Sequence, residues 1–402
     1  MLGQFTGLLG IGAILSTAYI FSTNRSRVSF QYLVRAFILQ IAFCLFVLKT
    51  SVGKVTFEYC ASGVSALQDF AGAGAEFVFG RLADPSGPWQ FVFAIKVAAL
   101  IIFFSALMSL LFHLGIIQVV VSGIACVIRP LLGTSGSETL CAVANSVLGQ
   151  TEAPLLIKNY IASMTDSQVM LVMVSGMATV SGSILAVYAT LGVSVPHLLT
   201  ASVMSIPASI LISKILMPET VESDGQVDHV AKATTTNVID AISTGTTDGL
   251  GLALNVLAML IAFMSLIAMA NFLMAKLTGL LIGTPYTFEK LLGYMFSVVA
   301  RLIGIPGSES LLAGNALGQK VIINELVGYT SLVKAGLSER SVIIMTYALC
   351  GFANFLSIGI QVGGIGSLVP SKRQLLTKLG LRAMLGGTLA NLLNAAVVSL
   401  FI

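Results

Sequence analysis

Charge is what this 402-residue chain has least of: 9% of its residues are Asp, Glu, Lys or Arg, against 56% that are hydrophobic. A soluble domain carries about 25% charged residues. So thin a polar shell could not cover a core of this size, which excludes an ordinary soluble enzyme. Histidine is limited to His113, His197 and His229, far apart and never in a His-Glu-x-x-His pair, so an intramembrane hydrolase lacks the residues it needs. No Gly-x-x-x-x-Gly-Lys-Ser/Thr sequence occurs, and ATP-driven pumping by this chain alone is not encoded. The five cysteines (Cys44, Cys60, Cys126, Cys141, Cys350) are scattered without metal spacing, which argues against a disulfide framework or a zinc site. A net charge of +4 without a basic tract gives no reason to expect nucleic acid as a partner, and the 39 glycines lack a triplet period.

What the chain has instead is long apolar runs. A membrane helix needs about 20 mostly apolar residues. Runs of that kind lie at 2–22, 31–49, 91–115, 167–190, 196–217, 250–275, 341–366 and 379–401, giving eight expected spans. The first has its basic residues, Arg25 and Arg27, after it rather than before it, the reverse of a secretory signal, and reads as a retained span. Arg25, Arg27 and Arg35 form one basic cluster and Lys372, Arg373, Lys378 and Arg382 another. Six crossings separate them, so both fall on one face, taken as cytoplasmic, with both termini outside. The polar stretch 219–236 then reads as a cytoplasmic linker, and 55–82, with Phe57, Phe70, Phe77 and Phe79, as an interfacial helix.

Two segments, 136–166 and 288–330, are apolar enough to enter a membrane yet are interrupted by Gly or Pro beside a carboxylate. The first break is Gly149-Gln150-Thr151-Glu152-Ala153-Pro154 and the second Gly304-Ile305-Pro306-Gly307-Ser308-Glu309-Ser310. Each half is too short to span at a rise of about 1.5 Å per residue. Both segments are therefore expected to be re-entrant helical hairpins, whose tips survive at depth only against protein or a water-filled cavity. A hairpin followed by two spans occurs twice and in opposite orientation, the inverted-repeat plan by which secondary transporters place a site at the midplane. Gly136-Ser137-Glu138-Thr139-Leu140 echoes Gly307-Ser308-Glu309-Ser310-Leu311, but pairing the tips by their carboxylates, Glu152 with Glu309, is the register preferred here. The spans after the hairpins are also interrupted, at Thr179-Val180-Ser181-Gly182-Ser183 and at 350–357.

Carboxylates at membrane depth need partners or a ligand; Arg301 and Lys158 are the nearest candidate partners, and Glu325 reads as structural. The tips offer no basic residue, which argues against a dicarboxylate or amino-acid carrier and for a neutral cargo rich in hydroxyl and N–H donors. Gln150 with Glu152 suits the edge of a heterocycle, and Glu309 with Asn354 a vicinal diol. Asn145, Thr179 and nearby carbonyls offer neutral oxygens for sodium, while Glu152 or Glu309 could instead carry a proton. A channel is the remaining alternative, distinguished by flux that ignores an ion gradient.

These residues resemble a known family. Gly149 to Pro154, the Pro306 to Glu309 turn, Cys350-Gly351-Phe352-Ala353-Asn354, Ala253-Leu254-Asn255-Val256 and Ala258-Met259-Leu260-Ile261-Ala262-Phe263 are similar to the concentrative nucleoside transporters, over nearly the whole chain. The resemblance implies an all-α polytopic protein of eight transmembrane helices, two re-entrant hairpins in inverted repeats and interfacial helices. It implies a homotrimer in a bacterial inner (plasma) membrane, in contact with lipid, that carries nucleosides such as uridine, cytidine or adenosine inward by an elevator mechanism. Sodium is the expected coupling ion, with proton coupling as the alternative and no organic cofactor. Carried over by position, Gln150, Thr151 and Glu152 would contact the base, with Ile184 and Leu252 packed on it. Glu309, Asn354 and Ser357 would bind the ribose, Phe352 would line the site, and sodium would sit on the Asn145 and Thr179 side chains and the Leu148 and Val180 carbonyls. The implied division is 1–115 (scaffold spans and interfacial helix), 116–217 (first hairpin repeat), 218–287 (linker, interfacial helix and scaffold-side span) and 288–402 (second hairpin repeat and last span).

Overall fold

The computed structural model describes residues 2–83, 92–220 and 235–402, so the expected linker lies almost wholly outside the described residues. Among those residues the regular structure is helical throughout. The chain opens with α1 (Leu2–Ile20), α2 (Phe30–Lys49) and α3 (Ser51–Phe79). α3 starts where Thr50 caps it by accepting a bond from the Gly53 amide, and it runs unbroken for 29 residues, beginning and ending a few residues before the interfacial helix expected over 55–82. One side chain ties it to the interior: Gln68 Nε2 donates to the Ala186 carbonyl at 2.7 Å.

Two series of helices follow in the same order. The first is α4 (Phe93–His113), α5 (Ile116–Leu132), α6 (Gly136–Asn145), the short α7 (Ala153–Leu156) and α8 (Lys158–Ile161), α9 (Asp166–Ala178), α10 (Gly182–Thr190) and α11 (Val195–Leu216). The second is α12 (Val238–Ile282), α13 (Phe288–Leu302), α14 (Ser310–Ile322), α15 (Glu325–Lys334), α16 (Glu339–Leu349), α17 (Phe355–Leu368) and α18 (Arg373–Ser399). Each series has a long helix, a shorter one, a helical hairpin, a helix broken in two and a long closing helix.

This order corrects the register of the second hairpin. The break at 303–309 separates α13 from α14, as Gly133–Ser135 separates α5 from α6, so it is the foot of the hairpin and not its tip. The turn of the second hairpin is at Ile323 and Asn324, where the Asn324 side chain accepts from the Val327 amide at 3.0 Å and starts α15. Glu138 and Glu309 are then counterparts, each in the first turn or at the N-cap of the hairpin's first limb, as their sequence echo suggested. Glu138 completes a capping box with Ser135 and is paired to Lys214 at 2.5 Å. The expected partners of the tip carboxylates are not used: Arg301 Nε donates to Ser310 Oγ at 3.1 Å, and among the described residues Lys158 forms no ion pair.

Among the described residues, six helical stretches are long and apolar enough to cross a membrane, among them Phe30–Lys49, Phe93–His113, Asp166–Thr190 (α9 with α10) and Val195–Leu216. The apolar part of α1 is shorter, and the expected span at 341–366 is two helices, α16 and α17, parted at 350–354. α12 extends well beyond the expected 250–275 as one 45-residue helix, absorbing the expected interfacial helix. In its polar N-terminal part the Thr246 and Thr247 hydroxyls are satisfied within the helix, donating to carbonyls one turn back at Ile242 and Ser243.

The core lies around α9, α11 and α18, which are largely buried, whereas α4 is mostly half-buried and α12 mostly exposed, and these two pack along each other. That pairing is close because Gly245 and Gly249 lie a turn apart on one face: a Cβ at Gly249 would sit 2.8 Å from Ile102 Cα and from Ser105 Cβ. Gly249→Val is expected to push α12 off α4 and destabilise the protein by about 1–3 kcal/mol. Gly251→Val, whose Cβ meets nothing within 4 Å, should leave stability unchanged. Thermal melting of the purified variants in detergent measures both.

Candidate functional site

The site is built at two helix breaks that cross. α9 ends at Ala178; Thr179 is extended, and Ser181 opens α10 by accepting from the Ile184 amide. α16 ends at Leu349, and Asn354 opens α17 by accepting from the Ser357 amide at 2.9 Å. The Phe352 amide donates to the Thr179 carbonyl at 3.3 Å, joining the two stretches directly. Gly351 is required there: a Cβ would fall 2.3 Å from Asn391 Oδ1 and 2.8 Å from the Met177 carbonyl. Non-helical backbone in an apolar core persists only when its polar groups are met in this way.

Both hairpin tips reach the second break. At the first tip, Gly149 has φ of 152°, a conformation that favours glycine, and its missing Cβ leaves room for Ser181 and the Glu152 carboxylate. The chain then presents Gln150, Thr151 and Glu152. Gln150 is buried; its Nε2 donates to Ser357 Oγ at 3.3 Å, and its Oε1 accepts from Gln361 Nε2 at 3.1 Å. Thr151 is exposed, with its methyl group beside Gly364, and Glu152 is half-buried at the start of α7. At the second tip, the buried Glu325 accepts from Asn354 Nδ2 at 3.0 Å on one oxygen and from the Tyr188 hydroxyl at 2.8 Å on the other. A continuous polar chain therefore runs Gln361, Gln150, Ser357, Asn354, Glu325, Tyr188.

Of the residues expected from sequence, this network brings together Gln150, Asn354 and Ser357, with Thr151 and Glu152 at its edge and Phe352 half-buried in the crossing. Ile184 lies one turn before Tyr188 on α10 and so shares its face. Two residues are not brought there. Glu309 lies at the foot of the second hairpin, where its carboxylate accepts from the Ser338 amide at 3.2 Å and hydroxyl at 3.0 Å, ahead of α16. Leu252 is a half-buried side chain on α12, the helix that packs along α4.

Glu325, Tyr188 and Gln361 are the members that sequence reasoning misses. For Glu325 a signal exists: Asn324 directly before an acidic residue and an apolar run is a helix-start signature. It is overshadowed by the Pro and Gly of 304–307.

Of the expected cation ligands, Asn145 and Thr179 both bond Ser175 beside the first break. Asn145 is fully buried, and its Nδ2 donates to Ser175 Oγ at 2.9 Å. Ser175 spends its own hydroxyl proton on the Val172 carbonyl, which fixes the amide with its NH2 toward the serine. Asn145 Oδ1 is then left buried with no hydrogen-bond partner among the described residues. Thr179 Oγ1 donates to the Ser175 carbonyl at 2.8 Å and keeps its lone pairs. The Leu148 and Val180 carbonyls lie in the non-helical stretches on either side. Neutral oxygens with one orphaned acceptor suit a hard monovalent cation.

Gly351→Ala is expected to separate the two crossing stretches, so that uptake is lost while the protein still inserts. Radiolabelled uptake set beside a detergent melting curve checks the pair.

Three family models cover the chain: "Na+ dependent nucleoside transporter N-terminus" over 9–82, "Nucleoside recognition" over 94–194 and "Na+ dependent nucleoside transporter C-terminus" over 197–399. The chain is 39% identical to the nucleoside permease NupC of Helicobacter pylori, over 98% of this chain and 97% of that protein. It is 40% identical to an uncharacterized transporter of Haemophilus influenzae, over 99% and 97% of the two chains. The solved structure of CNTnw in an inward-facing, substrate-bound state superposes with a TM-score of 0.95 at 38% identity, covering 100% of this chain and 98% of that one. With an all-helical fold, apolar helices long enough to span and two hairpin tips meeting at crossed helix breaks, the chain belongs to the concentrative nucleoside transporter family, and it is a multi-pass membrane transporter rather than an enzyme.

Proposed function

We propose that this protein is a sodium-coupled nucleoside symporter that takes up nucleosides such as uridine, cytidine or adenosine by an elevator-type alternating-access cycle. The observation that carries this reading is the convergence of both tips on one broken helix, Gln150 on Ser357 and Glu325 on Asn354. Glu325 and Asn354 form the ribose end: a carboxylate accepts two hydroxyl protons and the amide supplies both a donor and an acceptor. Gln150, Thr151 and Glu152 form the base end, where Ile184 and Phe352 give apolar cover. Glu309, bonded to Ser338, stabilises the foot of the hairpin that presents Glu325 instead of touching the ribose. Leu252 meets the base only when α12 and the hairpins move relative to each other.

Sodium is the coupling ion in this reading, held by Asn145 Oδ1, Thr179 Oγ1 and the Leu148 and Val180 carbonyls. The orphaned Asn145 oxygen supports it over a proton, which needs no such ligand. Each sodium ion moved inward through 100 mV contributes about 2.3 kcal/mol to accumulation. The layout we propose is eight membrane crossings and two re-entrant hairpins in a bacterial inner membrane. Residues 116–217 and the second hairpin repeat of 288–402, which also carries the last span, form a transport domain moving against a scaffold of 1–115 and 218–287. The exposed apolar face of α12, with Ile261, Met264 and Phe272, supports assembly as a homotrimer on that scaffold.

Glu325→Gln keeps the shape of the side chain but weakens charge-assisted bonds worth about 1.5–3 kcal/mol each. Uridine affinity should fall at least tenfold by calorimetry in saturating sodium, and near-normal affinity would refute the ribose assignment. Thr179→Ala should raise the sodium concentration needed for half-maximal uridine binding, with affinity at saturating sodium close to wild type. An unchanged sodium dependence would move the cation elsewhere.

A further inference from the structure

Lys320 takes no part in the reading above, yet it is 1% exposed in the last turn of α14. No carboxylate of the described residues lies within 4.0 Å of its ammonium. It donates instead to two neutral oxygens, the Ala348 carbonyl at 2.8 Å and Asn391 Oδ1 at 2.7 Å. Asn391, fully buried on α18, turns its Nδ2 to the Ala178 carbonyl at 2.6 Å and the Cys350 carbonyl at 2.7 Å. Ala178 ends α9, while Ala348 and Cys350 flank the end of α16. The ammonium and the amide together satisfy carbonyls that both breaks leave without helical donors, at helix ends whose partial negative charge favours a cation.

The matching order of the two series shows what this arrangement stands for. Asn145 is the last residue of α6, the first limb of the first hairpin, and meets α9 just before its break. Lys320 is in the last turn of α14, the first limb of the second hairpin, and meets α16 just before its break. Each break thus has a cluster of neutral oxygens at the end of a first limb. In the first half, Asn145 Oδ1 is orphaned; in the second half, the oxygens are bonded to the protein's own ammonium.

We propose that Lys320 is a resident cation that fills, at the second helix break, the place a mobile sodium ion takes at the first. Through Asn391 it is a positioning residue that holds the crossed breaks in register, so that Asn354 and Ser357 face the substrate. The inference rests on the sodium-symport reading. It has one consequence that this reading leaves open: only one of the two oxygen clusters accepts a mobile ion.

The test is the ratio of sodium to uridine entering proteoliposomes of the full-length protein, with both labelled, at fixed membrane potential. The wild type is expected to carry one sodium ion per uridine. Lys320→Ala uncovers the second oxygen cluster, so the ratio should rise toward two, or uridine binding should need at least tenfold more sodium with a steeper than hyperbolic dependence. Lys320→Arg, which keeps the charge, should retain a ratio of one. A merely structural lysine would lower the melting temperature in Lys320→Ala without moving the ratio or the sodium dependence, and that outcome overturns the proposal. If Lys320→Ala does not fold, the wild-type ratio decides, with two sodium ions per uridine overturning the proposal and one supporting it. Absence of sodium-driven uridine entry in the wild type would instead be a failure of the symport reading.

Discussion

Backbone polar groups released at a helix break inside an apolar core must find partners, and the rest of this structure is organised around meeting that requirement at one crossing. The Phe352 amide bonds the Thr179 carbonyl, and Asn391 spans the Ala178 and Cys350 carbonyls. Each unpaired group in hydrocarbon costs several kcal/mol, so the crossing is stable only with α18 against both broken helices. Gly351 and Gly387 allow that approach: a Cβ on Gly387 would come 2.7 Å from Met177 Cβ. The same helix carries a second polar tie, in which Gln40 Nε2 donates to Asn394 Oδ1 and Asn394 Nδ2 to Ser205 Oγ.

A fixed crossing gives the hairpins a surface to work against. The breaks leave N-terminal ends of α10 and α17 capped by Ser181 and Asn354, and the second of these caps doubles as the anchor point of the second tip. Asn354 illustrates the economy: its Oδ1 caps α17 while its Nδ2 holds Glu325. A cargo that offers hydroxyls to Glu325 and a heterocycle to Gln150 would substitute for bonds the protein otherwise makes with itself. Binding energy and the arrangement of the two hairpins are thereby linked, as an alternating-access transporter requires.

Much of this was legible in the residues. Apolar length marks most of the spans, and Gly149, Glu152 and Pro154 mark the first tip without ambiguity, because a positive-φ glycine, a carboxylate and a helix-starting proline coincide there. The second tip is harder. Gly304, with φ of 100°, and Pro306 make a genuine break, but at the foot of the hairpin, whereas the true turn is marked only by the Asn324 cap. Choosing by glycine and proline content displaces the second carboxylate by one limb, from Glu325 to Glu309. The echo of 136–140 in 307–311, followed literally, gives the correct register. Lys320 and Asn391 could not be paired from sequence, since a contact across 71 residues leaves no local pattern. The polar start of α12 likewise hides a helix whose hydroxyls are satisfied internally.

The central claim is that convergence of the tips serves ion-driven nucleoside movement. Labelled uridine uptake into proteoliposomes of the purified protein, under an inward sodium gradient, an inward proton gradient and neither, tests it most directly. The account predicts accumulation above equilibrium with the sodium gradient alone. Uptake driven only by protons, or no uptake by folded protein under either gradient, would contradict it.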